Sequence, residues 1–173
     1  MQASGNIPAQ VGLSSRLREL GIWLPEPPSP LGAYVPASKV GSLLFLSGML
    51  PLSHGKLSFI GRFGDNLTVA QGREAARLAA LNALSVTNRY LDGLDRVTGL
   101  VRLGVSLKTT GDFVEHAAVA DGASEFFAQI FGSDSGHTRL ICGVQSLPLG
   151  TPLALEVIFR LDDSAGPVPP PPV

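Results

Sequence analysis

The residue in this sequence best suited to binding a small anion is Arg139. It follows the polar stretch SDSGHT and opens the apolar run RLICGVQSL. A guanidinium at the start of a strand can bind a carboxylate through two parallel hydrogen bonds. Strand-end arginines are also commonly solvated. Its position alone therefore leaves two readings open, a carboxylate ligand and an ordinary surface arginine.

The histidines and the cysteine favour neither a metal site nor a thiol nucleophile. His54, His116 and His137 are far apart and lack the short spacings of metal ligands. Cys142 is the only cysteine, and it lies in an apolar run without a neighbouring base, so we expect a buried, inert thiol. The glycines form neither a phosphate loop nor a strand-coupled GxGxxG. We expect no metal and no cofactor.

Composition narrows the class of protein further. The 173 residues suit one domain, and 45% hydrophobic with 16% charged residues indicate a folded chain. No apolar run approaches the roughly 18 residues of a membrane span. A net charge of -1 argues against nucleic acid or anionic lipid as a partner. The first residues, MQASGNIPAQ, lack the features of a signal peptide, so we expect a cytoplasmic protein.

The elements that must position Arg139 begin with a short helix and a strand. Ser14 or Ser15 is expected to cap a helix that ends near Gly21. The run from Ser42 to Ser47, bounded by glycines, predicts a strand buried on both faces. Thr68, with Gln at the third position after it, forms a capping box that opens a long helix, VAQGREAARLAALNALSVTNRYL, which Gly93 ends.

The second half of the chain predicts three strands and a helix. The run LVRLGVSLK alternates, with Val101, Leu103, Val105 and Leu107 expected on the buried side. A helix is predicted from Val114 to Phe131. Two further strands follow, the apolar RLICGVQSL and a second strand that alternates from Leu153 to Leu161.

This order predicts an α+β domain in which two long helices cover one face of a mixed sheet. The other face is also apolar, so we expect self-association through it. We expect the folded domain to span residues 13–163, flanked by flexible tails at residues 1–12 and, rich in proline, at residues 164–173.

From about Pro28 to Leu161 the sequence resembles the reactive intermediate deaminase family, also called the Rid or YjgF family. The resemblance lies in PSPLGAY and FLSG, QGREAARLAALNAL on the long helix, LDRV before a strand, DF before a helix containing EFF, and RLICGVQSLP, in the family's order. It implies a chorismate-mutase-like subunit, a homotrimer with sites at subunit interfaces, and no cofactor.

The resemblance also assigns residues to a site for a small carboxylate or imine. It implies that Arg139 binds the substrate carboxylate, and that Tyr34, Ser47 and Gly48 orient the ligand. From the residues alone, Tyr34 is equally an interface or core aromatic, and Ser47 and Gly48 equally end a strand. Glu156 matches one of two family glutamates, and the resemblance makes it a candidate catalytic residue beside Arg139.

Two departures bear on activity. Ala154 stands where the family's deaminases carry the glutamate that positions the hydrolytic water, and Glu156 is about 6.6 Å further along the strand. Ala120 stands at the family's pocket asparagine, with Asp121 beside it. The first hypothesis is a RidA-like enamine or imine deaminase; the alternative is a non-catalytic trimeric protein that binds a small carboxylate. A ribonuclease comes last, because the chain has no basic cluster.

Overall fold

A computed structural model describes residues 12–132 and 135–162 of the chain. It contains three α-helices and seven strands, with a short 3₁₀ turn at Pro148–Gly150 before the last strand. The helices are α1 (Leu13–Glu19), α2 (Val69–Leu91) and α3 (His116–Phe131). The strands are β1 (Ala37–Val40), β2 (Leu43–Leu46), β3 (Leu52–Ser53), β4 (Lys56–Leu57), β5 (Val97–Lys108), β6 (Thr138–Val144) and β7 (Leu153–Leu161).

Five of the strands form one mixed sheet in the order β1-β2-β7-β5-β6. The pairing of β5 with β6 is parallel, and the other three pairings are antiparallel. Strands β3 and β4 form a separate hairpin. Helices α2 and α3 pack side by side against one face of the large sheet. The predicted α+β class, with two long helices on one face, is confirmed.

Helix α2 begins and ends as its sequence predicts. The Thr68 side chain accepts a hydrogen bond from the Gln71 amide, and the Gln71 side chain accepts one from the Thr68 amide, so the capping box is present. At the other end Asp92 adopts a left-handed conformation with φ 54°, and Gly93 follows it. Five alanines of α2 are fully buried, which allows the helix to lie close to the sheet: Ala75, Ala76, Ala79, Ala80 and Ala83.

Helices α2 and α3 approach each other closely at two glycines. A Cβ atom on Gly122 would overlap the backbone carbonyl of Arg73, and one on Gly72 would lie 2.8 Å from the Val119 side chain of α3. The Arg73 guanidinium spans the same contact, donating a 3.0 Å hydrogen bond to the Ala118 carbonyl. The α2 backbone at Arg73 therefore sets the distance between the two helices at Gly122.

Three local expectations are wrong. Gly12, not Ser14 or Ser15, is the N-cap of α1, and the Asp95 carboxylate accepts the Ser14 amide at 2.8 Å. Strand β2 is not buried on both faces, because Phe45 is 38% exposed on the side without helices.

The third error concerns Val101, and two further differences concern element boundaries and short strands. A register shift between Leu100 and Arg102 turns Leu100 into the core and leaves Val101 half-buried. Helix α3 begins at His116, two residues after Val114. Strand β1 and the β3–β4 hairpin, all of them short, are additional to the elements that the sequence predicts.

The alternation predicted for β7 is confirmed, since Leu153, Leu155, Val157, Phe159 and Leu161 are all buried. The predicted tails, apart from Gly12, lie outside the described residues. Of the helices in the described ranges, none is long and apolar enough to cross a membrane.

We expect Gly122→Ala to lower the free energy of unfolding by about 1–3 kcal/mol, the usual cost of overpacking. The higher helix propensity of alanine acts in the opposite direction, but the added methyl group meets backbone that cannot rotate away. Urea unfolding measures the change. Gly111→Ala is the control, because no atom lies within 4 Å of its new Cβ. Equal stability of the two variants would contradict the close approach of the helices.

Candidate functional site

The sheet face opposite α2 and α3, here called the open face, carries the exposed apolar side chains of Phe45 and Leu140. Because facing residues of paired strands share a side, Phe45 of β2 lies beside Ile158 of β7, and Leu140 of β6 lies beside Gly104 of β5. Leu140 is 51% exposed. Within residues 12–132 and 135–162, no element covers this face. Its apolar character fits the expectation of self-association.

A pocket of about 220 Å³ lies on the open face, here called the open-face pocket. Gly48, Ser106, Cys142, Ala154 and Glu156 are among the residues that line it. Ala154 and Glu156 alternate along β7 with buried residues, so both point into the open face, as the sequence predicted. The pocket therefore brings together Gly48, the position of the missing glutamate and the glutamate that remains.

The Glu156 side chain lies across β5 because the residue facing it is a glycine. Gly104 pairs with Glu156, and a Cβ atom on Gly104 would lie 2.6 Å from a Glu156 carboxylate oxygen. Arg102 Nε donates to the same carboxylate at 3.3 Å, and both side chains are substantially exposed. An exposed pair of this kind contributes little to stability. Glu156 is therefore accessible to a ligand or a water molecule.

Arg139 lies on the other side of the sheet. It pairs with Leu103 of β5, which faces the helices, whereas Glu156 pairs with Gly104. The Arg139 Nη1 donates to Asp121 Oδ1 at 2.7 Å and to Ser124 Oγ at 3.0 Å, both on α3. The side chain is 26% exposed, since β6 is the edge strand of the sheet. The two predicted catalytic side chains are thus on opposite faces of the sheet within one chain.

The structure adds Ser124 and His137 to the surroundings of Arg139. Ser124 Oγ lies 3.1 Å from His137 Nε2. Because the Ser124 oxygen already accepts a hydrogen bond from Arg139, the Ser124 hydroxyl can donate a hydrogen bond to the His137 imidazole. Burial, and secondarily the charge of Arg139, lower the pKa of His137. A neutral imidazole can accept this hydrogen bond at Nε2, whereas a protonated imidazole cannot.

The sequence pattern did not predict Ser124 or His137 as neighbours of Arg139. One signal was present: His137 stands two residues before Arg139, so the two side chains extend to the same side if the strand begins early. Ser124 lies three residues after Asp121, which places both on one side of α3. We call Asp121, Ser124, His137 and Arg139 the Arg139 cluster.

The resemblance assigns three residues to ligand orientation. Tyr34 lies just before β1, and Ser47 and Gly48 lie just after β2. Ser47 Oγ donates to the Val35 carbonyl at 2.7 Å, so its hydroxyl has a structural partner. The Tyr34 oxygen accepts the Leu31 amide at 2.9 Å, and Tyr34 is 46% exposed. Gly48 lines both the open-face pocket and a small cavity that contains Tyr34. The structure therefore brings Tyr34, Gly48 and Glu156 into one region and leaves Arg139 outside it.

Cys142 is exposed, so the expectation of a buried thiol is wrong. Strand β6 lies at the sheet edge, and Cys142 pairs with Ser106 on the open face, where no described part of the chain covers it. The described residues contain no group of three or more histidine, cysteine, aspartate or glutamate side chains that could hold a metal ion.

Comparison with known proteins identifies similar chains. Residues 14–161 match the family model described as "YjgF/chorismate_mutase-like, putative endoribonuclease". The Trypanosoma cruzi protein TCP17 is 35% identical over 152 residues, which cover 87% of this chain and 95% of that protein.

Two solved structures are also similar over 87% of this chain. One is described as a putative endoribonuclease from Shewanella oneidensis, with 36% identity, a TM-score of 0.82 and all of that chain covered. The other is the protein Atu1372 of unknown function from Agrobacterium tumefaciens, with 33% identity, a TM-score of 0.78 and 92% of that chain covered. The chorismate-mutase-like fold expected from the sequence is confirmed.

We expect His137 to titrate below the ordinary histidine value of about 6.5. The unfolded chain then takes up a proton before the folded one does, so the folded state loses stability as the pH falls below about 6.5. His137→Gln should reduce this loss. NMR titration of the imidazole and urea unfolding between pH 5 and 8 measure both effects. A His137 pKa at or above 6.5, or a free energy of unfolding with the same pH dependence in the variant, would contradict a neutral His137 that accepts a hydrogen bond from Ser124.

Proposed function

Because the chain belongs to the YjgF family, we propose that it is a RidA-like enamine or imine deaminase whose substrate is a small metabolite with a carboxylate that binds Arg139. The supporting observation is the position of this guanidinium. It lies on the edge strand, partly exposed, and it already binds one carboxylate, that of Asp121, at 2.7 Å. In the part of the chain that the structure describes, its hydrogen bonds are made by Nη1.

Asp121 sets a condition on the ligand. A substrate carboxylate must either displace Asp121 from Nη1 or bind another edge of the guanidinium beside it. Two carboxylates in contact repel each other, whereas a positively charged iminium group would be attracted to Asp121. The arrangement therefore favours a ligand with a carboxylate and an adjacent cationic nitrogen, such as a protonated 2-imino acid.

Assembly is a part of the proposal, because one chain does not bring the proposed catalytic groups together. Arg139 faces α3, and Glu156 faces the open face. A second copy packed on the open face can place its β6 edge next to Glu156. We propose a homotrimer with sites at the subunit interfaces, which also covers the apolar side chains of the open face.

The reaction proposed at this interface is hydrolysis of a C=N bond. Water adds to the imine carbon, the carbinolamine collapses, and ammonia leaves while a C=O bond replaces C=N. Arg139 holds the carboxylate of the substrate, and Glu156 is the carboxylate available to orient the water and accept its proton. Gly48 lines the open-face pocket, and Tyr34 lines the small cavity that shares Gly48 with it. We assign Tyr34 and Gly48, with the neighbouring Ser47, to the other side of the ligand.

Ala154 favours a second candidate, a trimeric protein that binds a small carboxylate without converting it. The methyl group of Ala154 lines the open-face pocket where the family's deaminases carry a carboxylate, and a methyl group cannot orient water. An endoribonuclease activity is the weakest candidate. The net charge is -1, and the three histidines lie on a turn, at the start of α3 and before β6.

We expect light scattering to give a mass of about three chains of 18.0 kDa at micromolar concentration. Such an assembly removes the exposed apolar side chains of the open face from water, which favours it. Leu140→Asp, which places a charge on that face, should shift the population toward smaller species. A mass near 18 kDa for the unmodified chain would contradict both the assembly and the interfacial site.

We expect Arg139→Ala to abolish binding of 2-oxobutyrate, measured by calorimetry, because it removes the only proposed anchor of the carboxylate. Arg16→Ala is the matched control, since Arg16 is an exposed arginine of α1 paired with Glu19. The control should bind as the unmodified chain does. If unmodified chain and Arg139→Ala bind with the same affinity, Arg139 is an ordinary surface arginine.

We expect Ala154→Glu to raise imine hydrolysis at least about tenfold, the lower end of what a positioned base contributes. Ammonia release from 2-iminobutyrate measures the rate. Repulsion by Glu156 raises the pKa of the introduced carboxyl group, so the gain should grow from pH 6 to pH 9. Ala154→Gln, of similar size and without charge, should give no gain. Failure of Ala154→Glu at every pH, in a folded trimer, would favour the binding protein.

A further inference from the structure

One nitrogen of the Arg139 guanidinium has both of its hydrogens engaged within the chain. Nη1 donates to Asp121 Oδ1 at 2.7 Å and to Ser124 Oγ at 3.0 Å. A guanidinium carries its N–H donors as two on Nη1, two on Nη2 and one on Nε. In residues 12–132 and 135–162 the hydrogen bonds of Arg139 are those of Nη1. The donors of Nη2 and Nε are therefore left for a ligand.

These remaining donors determine how a carboxylate can bind. The Nε–H and one Nη2–H are parallel, so this edge of the guanidinium can bind both oxygens of one carboxylate. The edge formed by Nη1 and Nη2 suits a ligand less, because the ligand must first displace Asp121 or Ser124. The Arg139 side chain is 26% exposed and belongs to the edge strand of the sheet. The edge formed by Nε and Nη2 is therefore the better site for the ligand.

A second hydrogen bond orients the hydroxyl group of Ser124. Ser124 Oγ lies 3.1 Å from His137 Nε2. Burial lowers the pKa of His137, which favours the neutral imidazole that can accept the hydroxyl proton. A hydroxyl that donates to His137 presents a lone pair to Arg139 Nη1. With Asp121 as its only acceptor, Nη1 could turn about one hydrogen bond, whereas two acceptors fix the plane of the guanidinium.

Helix α3 holds Asp121 and Ser124 in place. Gly122, which lies between them in the chain, is buried, and the backbone of Arg73 packs directly against it. This contact fixes the part of α3 that carries both acceptors. Side chains on a packed helix position a binding group more precisely than side chains on a loop. The two acceptors are therefore suited to holding the guanidinium in one orientation.

We propose that Ser124 is a positioning residue, which holds Arg139 Nη1 so that Nε and Nη2 remain available to bind the ligand carboxylate. This role rests on the proposed function, because it requires that Arg139 binds the carboxylate of a small metabolite. Asp121 stays on Nη1 when the ligand binds. Its carboxylate and that of the ligand then bind different nitrogens of one guanidinium, and neither displaces the other.

Calorimetry with 2-oxobutyrate tests the role of Ser124. Ser124→Ala should raise the dissociation constant about tenfold, because the guanidinium loses one of the two hydrogen bonds that fix it. Ser124→Thr keeps the hydroxyl group and should bind within about twofold of the unmodified chain. Ser15→Ala is the matched control, since Ser15 also accepts a hydrogen bond from an arginine, Arg18, at 2.9 Å on α1. The control should bind as the unmodified chain does.

Nuclear magnetic resonance of the Arg139 side chain identifies the edge that the ligand occupies. Addition of 2-oxobutyrate should shift the Nε–H proton downfield, because this proton enters a hydrogen bond to a charged group. A second measurement needs no ligand. In free Ser124→Ala the guanidinium should rotate faster about its Nε–Cζ bond than in the unmodified chain, and Ser124→Thr should restore the slower rotation.

The possible results separate the positioning role from the proposed function. Binding of 2-oxobutyrate with an unchanged Nε–H signal, or equal affinity and equal rotation in Ser124→Ala, would overturn the positioning role alone. Absence of both 2-oxobutyrate binding and ammonia release from 2-iminobutyrate would overturn the proposed function and the positioning role together. Binding with the expected Nε–H shift but without ammonia release would support the positioning role and favour the binding protein over the deaminase.

Discussion

The parallel register between β5 and β6 determines which candidate side chains can act together. Leu103 pairs with Arg139, and Gly104 pairs with Leu140. A shift of one residue would turn Arg139 to the open face and place Leu140 against α3. In the observed register the guanidinium meets Asp121 and Ser124, while Cys142 and Leu140 face away from the helices. The position of the proposed anchor, Arg139, thus follows from a backbone pairing.

In the proposed function, the same register links assembly to chemistry. The proposed anchor, Arg139, lies on the helix side of an edge strand, and Glu156 lies on the open face of a central strand. Within one chain these two groups therefore face opposite sides of the sheet. The apolar residues of the open face favour a second copy there. Covering them and completing the site are the same event in the proposed trimer.

Local sequence signals predicted the elements that depend on local physics. The capping box at Thr68 and the alternation along β7 are such cases, since each is set by neighbours in the chain. Features that need distant partners were missed or wrong. Asp95 caps α1 from 81 residues away, a register shift turns Val101 out of the core, and Cys142 is exposed because β6 has no neighbour on one side. Ser124 contacts Arg139 and His137 because α3 packs on β6.

The central claim is that Arg139 binds a ligand carboxylate at a boundary between copies. A crystal structure of the assembled protein with 2-oxobutyrate tests it most directly. We predict the ligand carboxylate within hydrogen-bond distance of the Arg139 guanidinium, with Glu156 of the partner subunit facing the ligand's carbonyl carbon. Density for the ligand at another surface, with Arg139 still bound only to Asp121 and Ser124, would contradict it.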